Sequence, residues 1–131
     1  MILPIPQTNR SRSDDGCPVD LAHLRRYTLG QAALEREVLG LFVQQLAHTI
    51  ASMRMARTAT DWRFASHALK GSGRAVGAWP LAQLAEQAEK LCPSRDFAAC
   101  QDIVSQIDVA AQEACAFIEF QSVAAPVSAS A

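Results

Sequence analysis

Long hydrophobic runs are missing from this chain. No window reaches 18 uninterrupted apolar residues, so no segment reads as a membrane span. An excess of one charge is missing too. Twelve basic against 13 acidic residues leave a net charge of −1, without the broad basic field that nucleic-acid binding needs. The start, Met1 to Pro6, is apolar but short, lacks a basic n-region and is broken by Pro4 and Pro6, so it does not read as a secretory signal. Cys17, Cys92, Cys100 and Cys115 form no C-x-x-C pair and have no histidines at zinc-finger spacing, which leaves no metal site to expect. Without export, they read as reduced thiols of a cytoplasmic protein. Strand signals are absent: there are no alternating Val/Ile/Thr runs, and only one Tyr and five Phe.

What is present is helical periodicity on a folded protein's composition, half apolar and 19% charged, over 131 residues that suit one domain. Residues 1–18 mix Pro, Ser, Arg, Asp and Gly and read as a flexible leader, and 123–131 as an Ala/Ser/Pro tail. Between them, 19–122 divide into five helices. A short one starts at the N-cap Asp20 and ends near Thr28–Gly30. A second, from about Gln31 to Arg57, puts Val38, Leu41, Phe42, Leu46, Ile50 and Met53 on one apolar face, with Glu37, Gln44 and His48 opposite. A third, capped by Thr60 or Asp61, aligns Trp62, Ala65, Leu69 and Val76 in a narrow stripe. Trp79-Pro80 opens the fourth, which turns Leu81, Leu84, Ala85, Ala88 and Leu91 inward and stops before Pro93. The fifth, Asp96 to Gln121, repeats Cys100, Ile103, Ile107, Ala111, Ala114 and Ile118. The expected fold is all-α: a monomeric antiparallel four-helix bundle with the short first helix covering one end.

The chemistry concentrates in His67-Ala68-Leu69-Lys70-Gly71-Ser72-Gly73-Arg74-Ala75-Val76-Gly77-Ala78. At 100° per residue, His67 lies roughly 160° from Leu69 and faces solvent. Gly71 and Ala78 fall beside it on that outward face, flanked by Arg63, Lys70 and Arg74. Each helix-interior glycine costs about 1 kcal/mol against alanine. Gly73 and Gly77 tend toward the core, where a neighbouring helix can approach closely. Gly71 has no such reason and clears space around the imidazole instead. A nucleotide-binding loop is a poor fit, because these glycines follow a helical pattern and lack the G-K-[ST] ending. Ser72 points inward with no nucleophile elbow, against a Ser–His hydrolase. A metal held by His67 would need ligands at the next helical turn, where Lys70 and Gly71 stand.

The pattern His67-x-x-Lys70-Gly71-Ser72-x-x-x-Val76-Gly77 resembles the signature of histidine-containing phosphotransfer (HPt) domains. In that signature a histidine is followed by Lys-Gly and, ten residues on, by Gly. The resemblance implies a phosphoryl group accepted on His67 from a receiver-domain aspartate and passed to another receiver. No ATP site and no intrinsic cofactor are implied, the Mg²⁺ coming from the receiver; the implied partners are response-regulator receivers and a hybrid histidine kinase. Imidazole is nucleophilic near neutral pH, and its exposed nitrogen, Nε2, is the expected attacker. Lys70, one turn on, is expected to neutralise phosphoryl charge. Arg74 either assists, meets the partner or is an ordinary solvated charge. The family also places a Gln or Glu 22 residues after the histidine to orient the ring, here Glu89; the plain alternative is a surface glutamate. Gly73 stands where Ser or Ala is more usual. A helical adaptor that regulates receivers by binding alone is the competing function.

Overall fold

A computed structural model describes residues 17–130 of the chain, with side chains described to residue 121. The described residues form five helices and no strand: α1 (Leu21–Thr28), α2 (Ala32–Met55), α3 (Ala59–Val76), α4 (Trp79–Glu89) and α5 (Phe97–Ser130). α2 packs on α3, α3 on α4, α4 on α5 and α5 back on α2, while α1 lies against α2 and α3. The result is a helical bundle closed around one apolar core.

Local chemistry sets the helix ends. Asp20 caps α1, its carboxylate accepting from the His23 N–H. α3 begins earlier than a cap at Thr60 or Asp61 would place it, at Ala59. Thr58 is the cap, and its hydroxyl accepts from the Asp61 N–H, so Asp61 sits in the first turn where its charge suits the helix dipole. Pro80 occupies the first turn of α4, where its missing N–H leaves nothing unpaired. α4 ends at Glu89 rather than running to Leu91. The leader expected at 1–18 lies outside the described residues up to residue 16. The side chains of the tail expected at 123–131 also lie outside them, although the α5 backbone runs to Ser130 rather than stopping near Gln121.

The core is drawn from the expected stripes, with Met53, Leu69, Leu81 and Ile107 almost fully buried. Each such side chain contributes about 1.5–3 kcal/mol by leaving water. One expected member is absent. Leu41 is 59% exposed, and Leu39 is buried in its place. The buried stripe of α2 runs through Leu39, Phe42, Leu46, Ile50 and Met53, and Leu41 lies well off its centre.

α1 is fastened to the corner between α3 and α4. The Asp20 N–H donates to the Gly77 carbonyl at 2.8 Å, and the Trp79 indole donates to the Asp20 carboxylate at 3.0 Å. Gly77 ends α3 in the left-handed region (φ 80°), and the Ala78 N–H reaches back to the Gly73 carbonyl at 2.7 Å. A Cβ at Gly77 would stand 2.8 Å from the Asp20 carbonyl oxygen, whereas one at Gly71 would meet nothing within 4 Å.

Opposite effects of the same substitution follow. Gly77→Ala should destabilise the protein by about 2 kcal/mol or more, through strain and the clash with Asp20. Gly71→Ala should stabilise it by up to about 1 kcal/mol. Chemical denaturation of both variants measures the two signs, and equal effects would refute the assignment of Gly77 to a backbone role.

Candidate functional site

Close packing of α4 on α3 builds the site. At one end, a Cβ at Gly73 would sit 3.2 Å from the Ala82 nitrogen, so the backbones meet there almost without intervening side chains. Further along, Ala85 and Ala88 are fully buried, and the Trp62 indole donates to the Ala88 carbonyl at 2.7 Å. That bond pins the last turn of α4 to α3. Glu89, the next residue, is thereby carried to the side of His67.

The imidazole of His67 is 72% exposed, yet one of its nitrogens is engaged: Nδ1 lies 2.7 Å from Oε2 of Glu89. The other carboxylate oxygen, Oε1, accepts from Lys70 Nζ, also at 2.7 Å. Lys70 and Glu89 are only 17% and 18% exposed, so this pair is largely shielded from water beneath the ring. The hydrogen bond from Lys70 holds the Glu89 carboxyl below the usual glutamate range; burial opposes it, and the bond to His67 adds to the lowering. An ionised carboxylate only accepts, so Nδ1 carries the hydrogen of the neutral ring. Nε2 is left with a free lone pair. The arrangement is a nucleophilic nitrogen presented outward on a ring fixed from below.

The other expected residues divide. Arg63 and Gly71 are exposed on α3. Arg74 is also exposed and lies 3.5 Å from Glu86 of α4. Lys70 differs from the expected free cation, because its ammonium is committed to Glu89. Ser72 is half-buried. Ala78 does not belong to the outward face: it is 0% exposed and precedes α4 as its N-cap. The expectation carried the helical wheel past Val76, but the left-handed Gly77 ends the helix and turns the chain inward.

One residue of the face escaped the sequence reading. Phe64 is 78% exposed, three positions before His67 and on the same side of α3. Its signal was there: a large aromatic well off the stripe of Trp62, Ala65 and Leu69. Phe64 also borders a groove of about 400 Å³ between α2 and α3, lined with His48, Ser52, Met55, Asp61 and Ala65. His67 therefore stands between two unlike flanks. Arg63, Lys70 and Arg74 lie on the α4 side, and Phe64, Ala68 and Ala75 on the α2 side. Among the described residues, no three of His, Cys, Asp and Glu gather as metal ligands, and no helix is long and apolar enough to cross a membrane.

Lys70→Met should return the Glu89 carboxyl toward the ordinary glutamate range. The stability that this pair contributes is present above that ordinary range and is lost as pH falls through the lowered value of the folded state. A carboxyl NMR titration of both proteins checks this, and an unmoved Glu89 would show that Lys70 is not its main partner.

Compared with known proteins, the chain matches the family model of the Hpt domain over residues 37–119. That span contains His67, Lys70 and Glu89. No curated protein and no solved structure matches.

Proposed function

Since this chain belongs to the Hpt domain family, whose members transfer phosphoryl groups in two-component phosphorelays, we propose that it carries the phosphoryl group on Nε2 of His67. The donor in this reading is the aspartyl phosphate of a receiver domain, within a hybrid histidine kinase or a pathway fed by one, and the acceptor is the aspartate of a response regulator. One observation carries the reading. His67 is exposed at Nε2 while Nδ1 is held at 2.7 Å by a carboxylate that Lys70 keeps ionised.

Phosphoryl transfer asks mainly for in-line positioning and charge neutralisation. Glu89 supplies the positioning. The partner aspartate's oxygen, the phosphorus and Nε2 come into line only if the ring cannot swing, and the bond at Nδ1 limits that swing. Arg63 and Arg74 lend positive charge to the arriving phosphoryl oxygens from the rim, while Lys70, committed to Glu89, keeps the carboxylate that orients the ring ionised. Gly71 leaves the approach open, and Phe64 offers the partner an apolar anchor beside the reacting atom. The receiver brings its own Mg²⁺, so the chain needs no resident cofactor. In the same reading, α2 to α5 form an antiparallel four-helix bundle capped by α1, and the chain works as a cytoplasmic monomer that docks one receiver at a time.

Two variants test this. His67→Gln should fold normally and accept no label from a phosphorylated receiver; acid-labile label retained by that variant places the phosphoacceptor elsewhere. A protein whose wild type also takes no label is the adaptor instead. Gly71→Gln should keep or gain stability while transfer from a receiver falls at least about tenfold, equivalent to about 1.4 kcal/mol of docking. Its labelling by phosphoramidate, which needs no protein interface, should change far less. Undiminished receiver transfer in Gly71→Gln would move the docking face away from Gly71.

A further inference from the structure

Arg74 is placed to do more than lend charge from the rim. At 100° and 1.5 Å per residue, it lies within about 20° of His67 around α3 and about 10 Å further along the axis. Helical side chains lean toward the helix N-terminus, so a long one covers the turn before its own Cα. For Arg74 that turn holds Lys70 and Gly71, and beyond it stands His67. For Arg63 the same lean points away from His67, toward the start of α3. The path from Arg74 is clear. Lys70 is drawn onto Glu89 and only 17% exposed, and a Cβ at Gly71 would meet no atom within 4 Å.

In the structure Arg74 is turned sideways instead. Its Nη2 lies 3.5 Å from Oε1 of Glu86 on α4, and the two side chains are 53% and 50% exposed. A pair so long and so open to water is held weakly. A phosphoryl group on Nε2 changes the competition. As Nε2 attacks, the N–P bond forms, the bond from phosphorus to the receiver's aspartate oxygen breaks, and its electron pair leaves with that carboxylate. The group now on His67 carries close to two negative charges and three acceptor oxygens, against one charge and two oxygens on Glu86. It also suits the paired donors of a guanidinium.

We propose that Arg74 exchanges partners during the cycle. Glu86 holds it aside while His67 is free, and it crosses the bare turn at Gly71 to clasp the phosphoryl oxygens once His67 carries them. Glu86 is then a positioning residue: by competing for Arg74 it weakens the clasp and lets the phosphoryl group move on. Glu86 also has somewhere to turn when Arg74 leaves. Lys90 stands exposed one turn later, its backbone still in the right-handed helical region at the end of α4. A glutamate four residues before a lysine is the favoured order for such a pair.

This exchange rests on the phosphocarrier reading of His67, and its test separates the two claims. The full chain, as wild type, Glu86→Gln, Arg74→Gln and the double variant, is equilibrated with one phosphorylated receiver. The phosphoryl group's final division between free receiver and free chain reads the stability of phospho-His67 and not the docking of the partner. Glu86→Gln should shift that equilibrium toward phospho-His67 by about threefold, and Arg74→Gln should shift it back by about tenfold. In the Arg74→Gln background, Glu86→Gln should lose most of its effect, because that effect runs through the arginine. An equal effect with and without Arg74 would reduce Glu86 to simple repulsion and overturn the exchange. So would an Arg74 Nε–H signal, followed by NMR, that does not move when phosphoramidate phosphorylates the wild type. If the wild type takes up no phosphoryl group on His67, the phosphocarrier reading fails and the exchange falls with it.

Discussion

The close approach of α4 to α3 is the constraint on which the rest of the site depends. An exposed histidine on a helix is ordinary; one with a carboxylate at 2.7 Å from Nδ1 requires the neighbouring helix at a particular distance and register. The distance comes from small residues: Gly73 against Ala82, then Ala85 and Ala88, all buried on the shared face. The register is fixed in the buried part of the interface by a polar bond, the Trp62 indole to the Ala88 carbonyl. In such surroundings an unpaired indole N–H or carbonyl costs more than the bond gains, so a slip of α4 by one residue is opposed. Glu89, at the very end of α4, receives the benefit of that fixed register.

Glycine serves three different physical ends within seven residues of α3. Gly73 permits backbone contact with α4, and Gly77 permits the left-handed turn that starts α4 and accepts the Asp20 N–H of α1. Gly71 meets nothing, so its cost to the helix is not offset by any packing within this chain. The first two bring Glu89 and α1 into place; the third leaves the surface above His67 bare. Structure and function here draw on the same residue type for opposite reasons, the filling of an interface and the clearing of one.

Much of this was legible in the sequence, because helical periodicity is a strong signal in long amphipathic segments. The outward aim of His67, the core stripe of α3 and the inward lean of Gly73 and Gly77 all follow from 100° steps. Glu89 was reached differently, through the family resemblance, since periodicity alone put it only at the edge of the α4 stripe. What failed did so for physical reasons. Ala78 was misplaced because a wheel assumes that the helix continues, and a left-handed glycine ends it. Thr58 was overlooked as a cap because several hydroxyl and carboxyl residues compete at positions 58–61, and only the backbone turn selects among them. Leu41 was placed in the core by too wide a reading of the α2 stripe, since 100° steps put it about 140° from the centre of the buried face. The commitment of Lys70 to Glu89 was not legible at all, as it depends on two side chains from different helices meeting.

That last contact changes how the site's electrostatics are understood. A free lysine beside the imidazole would be a simple counter-charge for an arriving phosphoryl group. Held at 2.7 Å by Glu89 and mostly shielded, Lys70 instead forms one end of a chain of charges: ammonium, carboxylate, imidazole N–H. Each member fixes the protonation of the next, the lysine by keeping the carboxylate ionised and the carboxylate by demanding a hydrogen on Nδ1. The chain ends at Nε2, the one atom of the three groups left without a partner and the one turned to the surface. On its two sides the surface differs, charged toward α4 and apolar toward α2. A partner that must bring an acidic reacting centre to Nε2 while burying apolar area beside it has a single orientation in which both flanks are satisfied. In the proposed reading, the asymmetry of α3 aligns a partner as well as accommodating it.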